Sequence, residues 1–206
     1  VGVCMSTERH STASYAVDAQ AEQAVLAHTA RERHLSAPAA PLQTADDVLG
    51  LAEQWLQQSC PPWLMGWRGI ARATDERSVI GTVMPMAGVG NGCHRVMADS
   101  EIPATKVAAL IANISVLPFD FVARQKIGGA NFNFYIPKQL PIFPPDRYAE
   151  ADLAYIVPRV LELTYTAHDL AGWAHDLGHN GPPFPFVPER RAQLRAELDA
   201  YYARLY

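Results

Sequence analysis

The hydrophobic and polar positions of the first sixty residues follow a helical period. Between residues 13 and 34 no Pro or Gly interrupts this spacing, which predicts one helix. A second helix is predicted from Thr44, a good N-cap residue, to about Gln58, where two prolines follow. Asp46 and Asp47 fall in its first turn, where carboxylates are stabilised by the helix dipole. The pattern therefore predicts a helical entry segment over residues 1–60.

The pattern changes after Trp63. A β-branched, apolar run over Ser78–Met84 predicts a strand, and a glycine-rich turn leads to a shorter strand at about Cys93–Met97. An Ala-, Leu- and Ile-rich helix follows from Thr105, and we expect Pro118 to break or kink it. Alternation of polar and aromatic residues then predicts a strand over Asn131–Ile136.

Helical periodicity returns in the last third of the chain. It predicts helices at about 150–165, 167–177 and 188–204, with a loop at 178–188. The fold class expected is α+β, with a small mixed sheet flanked by helices, a helical N-terminal entry and a helical C-terminal exit. The predicted division is a core over 61–150 and a helical segment over 151–206.

The composition is that of an ordinary globular protein, with 49% apolar and 18% charged residues in a chain of 206. Cys4, Cys60 and Cys93 are too few and too scattered for a disulfide framework or a zinc cluster. No apolar run is long enough to span a bilayer and no signal peptide is recognisable, so we expect a cytoplasmic protein with no membrane partner. The absence of an initiator Met suggests a piece of a longer protein.

The stretch from Phe121 to Pro141 carries the most informative chemistry. Gly128 and Gly129 allow a positive φ or a close approach of a partner. Cationic side chains suit phosphates and amides suit base edges, which predicts DNA contacts. The residues assigned these roles are Arg124, Lys126 and Lys138, with Gln125, Asn131 and Asn133. The alternative is a surface loop that leads into an edge strand.

Charge and alternation support an exposed, basic surface in this stretch. The net charge of −4 argues mildly against DNA binding, but residues 124–147 hold four cations and one carboxylate. Alternation along the predicted strand places Phe132 and Phe134 together on the core side. Asn131, Asn133 and Tyr135 then share the opposite side, which is where DNA contacts are expected.

A second segment, from Arg68 to Arg77, mixes hydrogen-bond donors and acceptors. We assign DNA contacts to its Arg68, Arg72, Thr74, Glu76 and Arg77, because phosphate anchoring alone has no use for Glu76. The alternative is a surface turn in which Asp75 and Glu76 pair with the arginines. Asn91, His94 and Arg95 follow the glycine turn and could reach a groove, although an ordinary hairpin loop is the favoured interpretation.

Four segments resemble the C-terminal part of large bifunctional type II restriction–modification enzymes and of the related adenine-N6 DNA methyltransferases of phage-defence systems. They are WRGIARATDERSVIGTVMP (67–85), ALIANISVLPFD (109–120), FDFVARQKIGGANFNFYIPKQLPIFPP (119–145) and GPPFPFVPERRAQLRAELDAYYARLY (181–206). The resemblance spans roughly residues 60–206. It implies a target-recognition region that reads double-stranded DNA and partners the methyltransferase core of the same parent chain.

The catalytic core of such an enzyme is not recognisable here. The proline pairs at Pro61 and Pro182 lack the preceding Asn or Asp that a base-amino methyltransferase needs, and the glycines at 88–92 do not precede a helix. We therefore expect no catalytic residue, metal or cofactor in this chain, whereas S-adenosylmethionine is expected in the parent's core. Whether the parent also cleaves DNA stays open.

Two other function classes compete. The run Ala174–His179, with its His175–Asp176 pair and with His168 upstream, resembles the motif of metal-dependent His-Asp phosphohydrolases. Such a site needs further ligands, for which only His34 and Asp199 are available at unsupportive spacing. Histidines near a helix C-terminus are also favoured by the helix dipole without any metal. The third class is a structural interaction module.

Overall fold

The chain divides into two compact units, Val1–Ser59 and Cys60–Tyr206. The computed structural model describes residues 19–32, 35–36, 38, 44–59, 62–70, 72, 75–96, 98, 102–129 and 131–206. Its class is α+β, as the sequence predicts.

The described part of the first unit contains two helices, α1 (Ala19–Glu32) and α2 (Ala45–Ser59). Thr44 caps α2: the Asp47 N–H donates to Thr44 Oγ1 at 3.1 Å, and the Thr44 N–H donates to Asp47 Oδ2 at 2.9 Å. The predicted N-cap is thus confirmed, and this reciprocal pair satisfies backbone donors that a helix start leaves open.

The second unit is built on a three-stranded antiparallel sheet of order β2-β1-β3. Its strands are β1 (Trp63–Arg68), β2 (Gly81–Pro85) and β3 (Cys93–Val96), with Met65 opposite both Val83 and Val96. The short strand after the glycine turn is confirmed. The strand predicted from Ser78 begins later, because the Ser78 and Val79 N–H groups bond to the Asp120 carboxylate instead of a neighbouring strand.

Five helices and three short 3₁₀ turns complete the described part of this unit. The helices are α3 (Ala104–Ser115), α4 (Leu117–Lys126), α5 (Glu150–Thr164), α6 (Ala171–Asp176) and α7 (Pro188–Leu205). The 3₁₀ turns are Pro137–Gln139, Pro145–Arg147 and His168–Leu170. The break expected near Pro118 is confirmed: Val116 separates α3 from α4, and Pro118 lies in the first turn of α4, where no donor is needed.

The strand predicted over Asn131–Ile136 is wrong. Asn131 forms only an isolated bridge with Ile70, and the Ile136 N–H turns back to the Asn133 carbonyl at 2.9 Å. Pro137, which has no N–H, starts a 3₁₀ turn directly afterwards. Phe132 is buried and Phe134 is 47% exposed, so the two phenylalanines do not share the core side.

Helix α3 lies at the centre of the core and contacts β2, α4 and α5. Aromatic residues from distant parts of the chain pack around it, among them the buried Trp173 and Tyr202. The Tyr202 hydroxyl donates to the Ala109 carbonyl at 2.8 Å and lies 3.1 Å from the Tyr148 hydroxyl. The predicted segments 61–150 and 151–206 therefore contribute to one core.

No described helix is, on its own, both long and apolar enough to cross a bilayer. Helices α3 and α4 reach that length and composition only as a pair, which is bent by 61° at the junction.

Asp120 is the buried charge on which the start of β2 depends. Its Oδ1 accepts the Ser78 N–H at 2.6 Å and the Val79 N–H at 3.1 Å, and its Oδ2 lies 2.6 Å from Arg124 Nε. Arg124 in turn donates through Nη2 to the carbonyls of Asp75 and Glu76. One carboxylate thus joins α4 to the segment before β2.

We predict that Asp120→Ala lowers the free energy of unfolding by about 3–5 kcal/mol, because it leaves two buried N–H groups and Arg124 without their acceptor. Urea denaturation measures the loss. Asp146→Ala removes an exposed carboxylate and should stay within about 0.5 kcal/mol of the wild type. A loss below about 1 kcal/mol for Asp120→Ala would contradict the assignment.

Burial raises the pKa of Tyr148 from 10.0 to about 12, and burial also raises the pKa of Tyr202. Both hydroxyls hold their protons more tightly in the folded chain. Their contribution is therefore complete below pH 10 and is lost as the pH rises through the folded-state pKa. We predict that stability falls between pH 10 and pH 12, with Tyr148 accounting for on the order of 2 kcal/mol. Tyr148→Phe should reduce this fall in urea titrations, and an identical fall in both proteins would refute the prediction.

Candidate nucleic-acid interface

A polar cleft of about 420 Å³ lies where three chain segments meet at one end of the sheet. The segments are the residues after β1, the turn before β3 and the stretch after α4. We call it the sheet-end cleft, and it is lined by Gly69, Ile70, Asn91, Gly92, His94, Asn131 and Asn133.

Backbone hydrogen bonds hold the three segments together. The Gly69 N–H donates to the Gly92 carbonyl, and the Phe132 N–H donates to the Gly69 carbonyl, both at 2.7 Å. Gly69 suits this close approach, since a Cβ there would lie 2.9 Å from His94 Nε2 and 3.3 Å from the Gly92 carbonyl oxygen. The cleft is therefore a fixed feature of the backbone.

Aromatic side chains support the cleft from below. Trp67 Nε1 donates to the Phe132 carbonyl at 3.0 Å, which fixes the stretch after α4 against β1. The His94 ring centroid lies 5.6 Å from that of Trp67 and 4.9 Å from that of Phe134. These contacts hold the half-buried His94 against the rings of Trp67 and Phe134.

The cleft presents three exposed carboxamides, those of Asn91, Asn131 and Asn133. Each carboxamide carries an NH2 group that donates and a carbonyl oxygen that accepts. This combination can bind adenine through its N7 acceptor and its N6 amino donor. The structure thus brings Asn131 and Asn133, predicted as contacts, together with Asn91 and His94, for which an ordinary hairpin was favoured. In the sequence, only the glycines around Asn91 indicated a close approach at this position. The segments that form the cleft are distant in sequence, so no local pattern predicts their contact.

Four exposed cations lie close in sequence to the cleft residues: Arg72, Arg95, Lys126 and Lys138. Within the described part of the chain, none of the four forms an ion pair. Lys138 also lines an apolar cavity together with Trp67, Phe132 and Phe134, the aromatic residues that contact the cleft segments. Gln125 is exposed at the end of α4, and Tyr135 is 61% exposed.

The glycine pair after α4 leaves room for a partner. A Cβ on Gly128 or Gly129 would meet nothing within 4 Å. The positive φ considered for them is not found, since among the described glycines only Gly178 has one, at 82°. Open space, and not an unusual backbone conformation, is what this pair provides.

The second predicted segment lies elsewhere. Arg68 is paired with Asp75, Arg77 lies 2.8 Å from Asp199, and Glu76 lies 3.3 Å from Arg195 of α7. The alternative that Asp75 and Glu76 pair with arginines is therefore what the structure shows. Arg68, Glu76 and Arg77 line a groove next to α3, α5 and α7 and do not line the sheet-end cleft. Thr74 lies outside the described residues, and the DNA contacts assigned to this segment stay predictions.

Arg124 also has a structural part, since it bonds to Asp120 and to two backbone carbonyls. It therefore differs from Lys126, two residues later, whose exposed side chain forms no ion pair within the described chain. Any contact of Arg124 with a phosphate would have to share its guanidinium with these partners.

The His-Asp run has structural partners. Asp176 accepts a hydrogen bond from Trp63 Nε1 at 2.7 Å, and the His179 ring stacks on Phe184 with centroids 4.9 Å apart. Asp199 binds Arg77 and the Leu117 N–H, while His34 lies outside the described residues. Among the described side chains, no three of His, Cys, Asp or Glu form a group that could hold a metal.

No protein-family model, no curated protein and no solved structure matches this chain. The resemblance to the C-terminal region of restriction–modification enzymes and adenine-N6 methyltransferases therefore stays an expectation drawn from the sequence segments.

The difference in burial between Phe132 and Tyr135 predicts a difference in the stability of their alanine variants. We predict that Phe132→Ala costs about 3–5 kcal/mol of unfolding free energy, because a fully buried ring leaves a cavity beneath the cleft. Tyr135→Ala, at an exposed ring three residues away, should cost no more than about 0.5 kcal/mol. Similar losses for the two variants in urea titrations would contradict the placement of this segment.

Proposed function

We propose that this chain docks on double-stranded DNA through the sheet-end cleft and the surrounding cations. In this role it selects the sequence at which a larger adenine-N6 DNA methyltransferase or restriction–modification enzyme acts. S-adenosylmethionine and the reacting groups belong to the parent's core, and this chain supplies recognition. The observation that carries the proposal is the meeting of three exposed carboxamides and His94 on a backbone platform held by hydrogen bonds.

Rigidity supports a reading role. A segment whose backbone already stands in place loses less conformational entropy when it binds, so more of the hydrogen-bond energy is left for discrimination. Asn131 and Asn133 flank Phe132, whose buried ring and bonded backbone fix both positions. A bidentate amide contact to a base discriminates by about 1–3 kcal/mol.

The distribution of charge supports a phosphate-binding role around the cleft. Most arginines elsewhere in the second unit are paired, as Arg77 is with Asp199, Arg159 with Glu197 and Arg190 with Glu162. Close in sequence to the cleft residues, by contrast, the described part of the chain gives Lys126 and Lys138 no carboxylate partner. Such a local positive surface can hold DNA although the whole chain carries a net charge of −4.

A contact with the methyltransferase core is the second part of the proposal. Leu117 and Phe121, four residues apart on α4, are 49% and 69% exposed. Residues at this spacing lie on one side of a helix, and a partly apolar exposed side is typical of a surface that packs against another domain. This side of α4 is the contact that we propose for the parent's core.

The phosphate contacts predict a salt effect. Lys126→Ala and Lys138→Ala should each weaken binding to specific and unrelated duplexes alike, and each should reduce the slope of log K against log salt by about 0.9. Fluorescence anisotropy with labelled duplexes at several salt concentrations measures both quantities. Arg190→Ala is the matched control, because it removes one charge that is already paired with Glu162. An unchanged slope in both lysine variants would contradict the assignment.

The base contacts predict a change in selectivity. Asn133→Ala in the intact parent should relax discrimination at one base pair by roughly ten- to a hundredfold. The measurement is methylation of a library of single-base variants of the recognised site. Arg77→Ala and Glu76→Ala test the second segment in the same assay. A uniform loss of activity, with an unchanged preference at every position, would assign the mutated residue to anchoring or folding.

A further inference from the structure

A groove of about 530 Å³ in the second unit is not used by the DNA proposal. It opens between residues 75–82 and helices α3, α5 and α7. Its lining is mainly aliphatic, with Val79, Ile111, Leu163 and Leu198 among the contributors. A half-open cavity of this size, with aliphatic side chains and a set of charged groups at its border, has the form of a small-molecule site.

Arginines border this apolar lining. Four guanidinium groups, those of Arg68, Arg77, Arg191 and Arg195, line the groove together with three carboxylates, those of Asp75, Glu76 and Asp199. Each carboxylate is already paired with one arginine: Asp75 with Arg68, Asp199 with Arg77 and Glu76 with Arg195. One guanidinium, that of Arg191, is left over.

Arg191 is held in position without being neutralised. Its Nη1 donates to the Leu163 carbonyl at 2.9 Å, and its guanidinium carbon lies 4.4 Å from the centre of the Phe186 ring. Within the described chain it has no carboxylate partner, and its Nη2 forms no hydrogen bond. Burial, and then the positive charge of Arg195, lower the pKa of Arg191, as expected of a cation that lacks a compensating anion.

Arg68 also lines the groove, but its unpaired donor is enclosed by the protein. Its Nε is buried and has no hydrogen-bond partner among the described residues. A buried donor without an acceptor costs about 1–3 kcal/mol. Arg68 is thus paired with Asp75 and its Nε is enclosed, which leaves Arg191 as the guanidinium of the groove without a carboxylate in the described chain.

We propose that this groove binds a small amphipathic anion, that is, an apolar body that carries one carboxylate, phosphate or sulfonate group. The body lies on the aliphatic side chains, where burial of apolar surface stabilises it. The anionic group binds the free side of the Arg191 guanidinium, whose planar fork suits two oxygen atoms. This binding goes beyond DNA recognition and requires neither DNA nor the parent's core.

Two fluorescent dyes with the same aromatic body separate the two halves of the proposal. Anilinonaphthalene sulfonate carries the anionic group, and N-phenylnaphthylamine lacks it. We expect the wild-type chain to bind one equivalent of the sulfonate about tenfold more tightly than the uncharged dye, which is the effect of one charge-assisted hydrogen bond. Dye titrations with the folded 206-residue chain measure both dissociation constants.

Three variants locate the site. Arg191→Gln should weaken binding of the sulfonate about tenfold and leave the uncharged dye within about twofold. Arg190 is the neighbouring arginine, which pairs with Glu162 outside the groove lining, and Arg190→Gln should change neither dissociation constant. Thr82→Trp places a large side chain at an exposed position of the groove lining and should weaken the binding of both dyes.

Equal affinity of the wild-type chain for the two dyes would overturn the proposal. Equal losses of affinity for the sulfonate dye in Arg190→Gln and Arg191→Gln would also overturn it. So would unchanged binding of both dyes by Thr82→Trp. Circular dichroism checks that each variant is folded. Should Arg191→Gln fail to fold, the dye pair with wild type and Thr82→Trp still decides the result.

Discussion

The bond between the Asp120 carboxylate and the segment before β2 is the interaction on which the two candidate surfaces of this protein depend. A buried carboxylate is stable only when it is paired and hydrogen-bonded, and Asp120 has two backbone donors and Arg124 as partners. Through Arg124 the same group holds the carbonyls of Asp75 and Glu76. The position of α4 and the path of the segment before β2 are thereby set together.

Two surfaces follow from this arrangement. The end of α4 leads through Lys126 and the glycine pair to Asn131, at the sheet-end cleft. The segment held by Arg124 instead borders the groove beside α3, α5 and α7. The first surface is polar, and the exposed cations close to its residues in sequence form no ion pair within the described chain. The second is aliphatic and bordered by arginines that are mostly paired, so the two suit different ligands.

The pairing of arginines resolves the conflict between an acidic chain and a proposed DNA partner. Net charge sums over all groups, but a phosphate responds to the charges that are near and uncompensated. Arginines such as Arg77 and Arg159 are used to join elements of the second unit, through Asp199 and Glu197. The cations close in sequence to the cleft residues are exposed side chains without an ion-pair partner in the described chain.

Local chemistry allowed the sequence by itself to determine many elements. Thr44 caps α2 because its hydroxyl reaches an N–H three residues away, and Pro118 lies in the first turn of α4, where the missing N–H costs the helix no hydrogen bond. The helices of the last third follow from their period. The strand predicted over Asn131–Ile136 was wrong because an alternating pattern does not supply a neighbouring strand, and here the backbone finds its partners within a turn and at Gly69.

Only the tertiary structure decided how the candidate site is composed. Asn91 and His94 lie some forty residues before Asn131 and Asn133 in the sequence, and no local pattern relates the two pairs. They meet because β1 bonds to the turn before β3 on one side and to the stretch after α4 on the other. The same long-range packing paired Arg77 with Asp199 and left Arg191 without a carboxylate. The sequence determined which chemical groups were present, and contacts between distant segments decided which of them remained available to a partner.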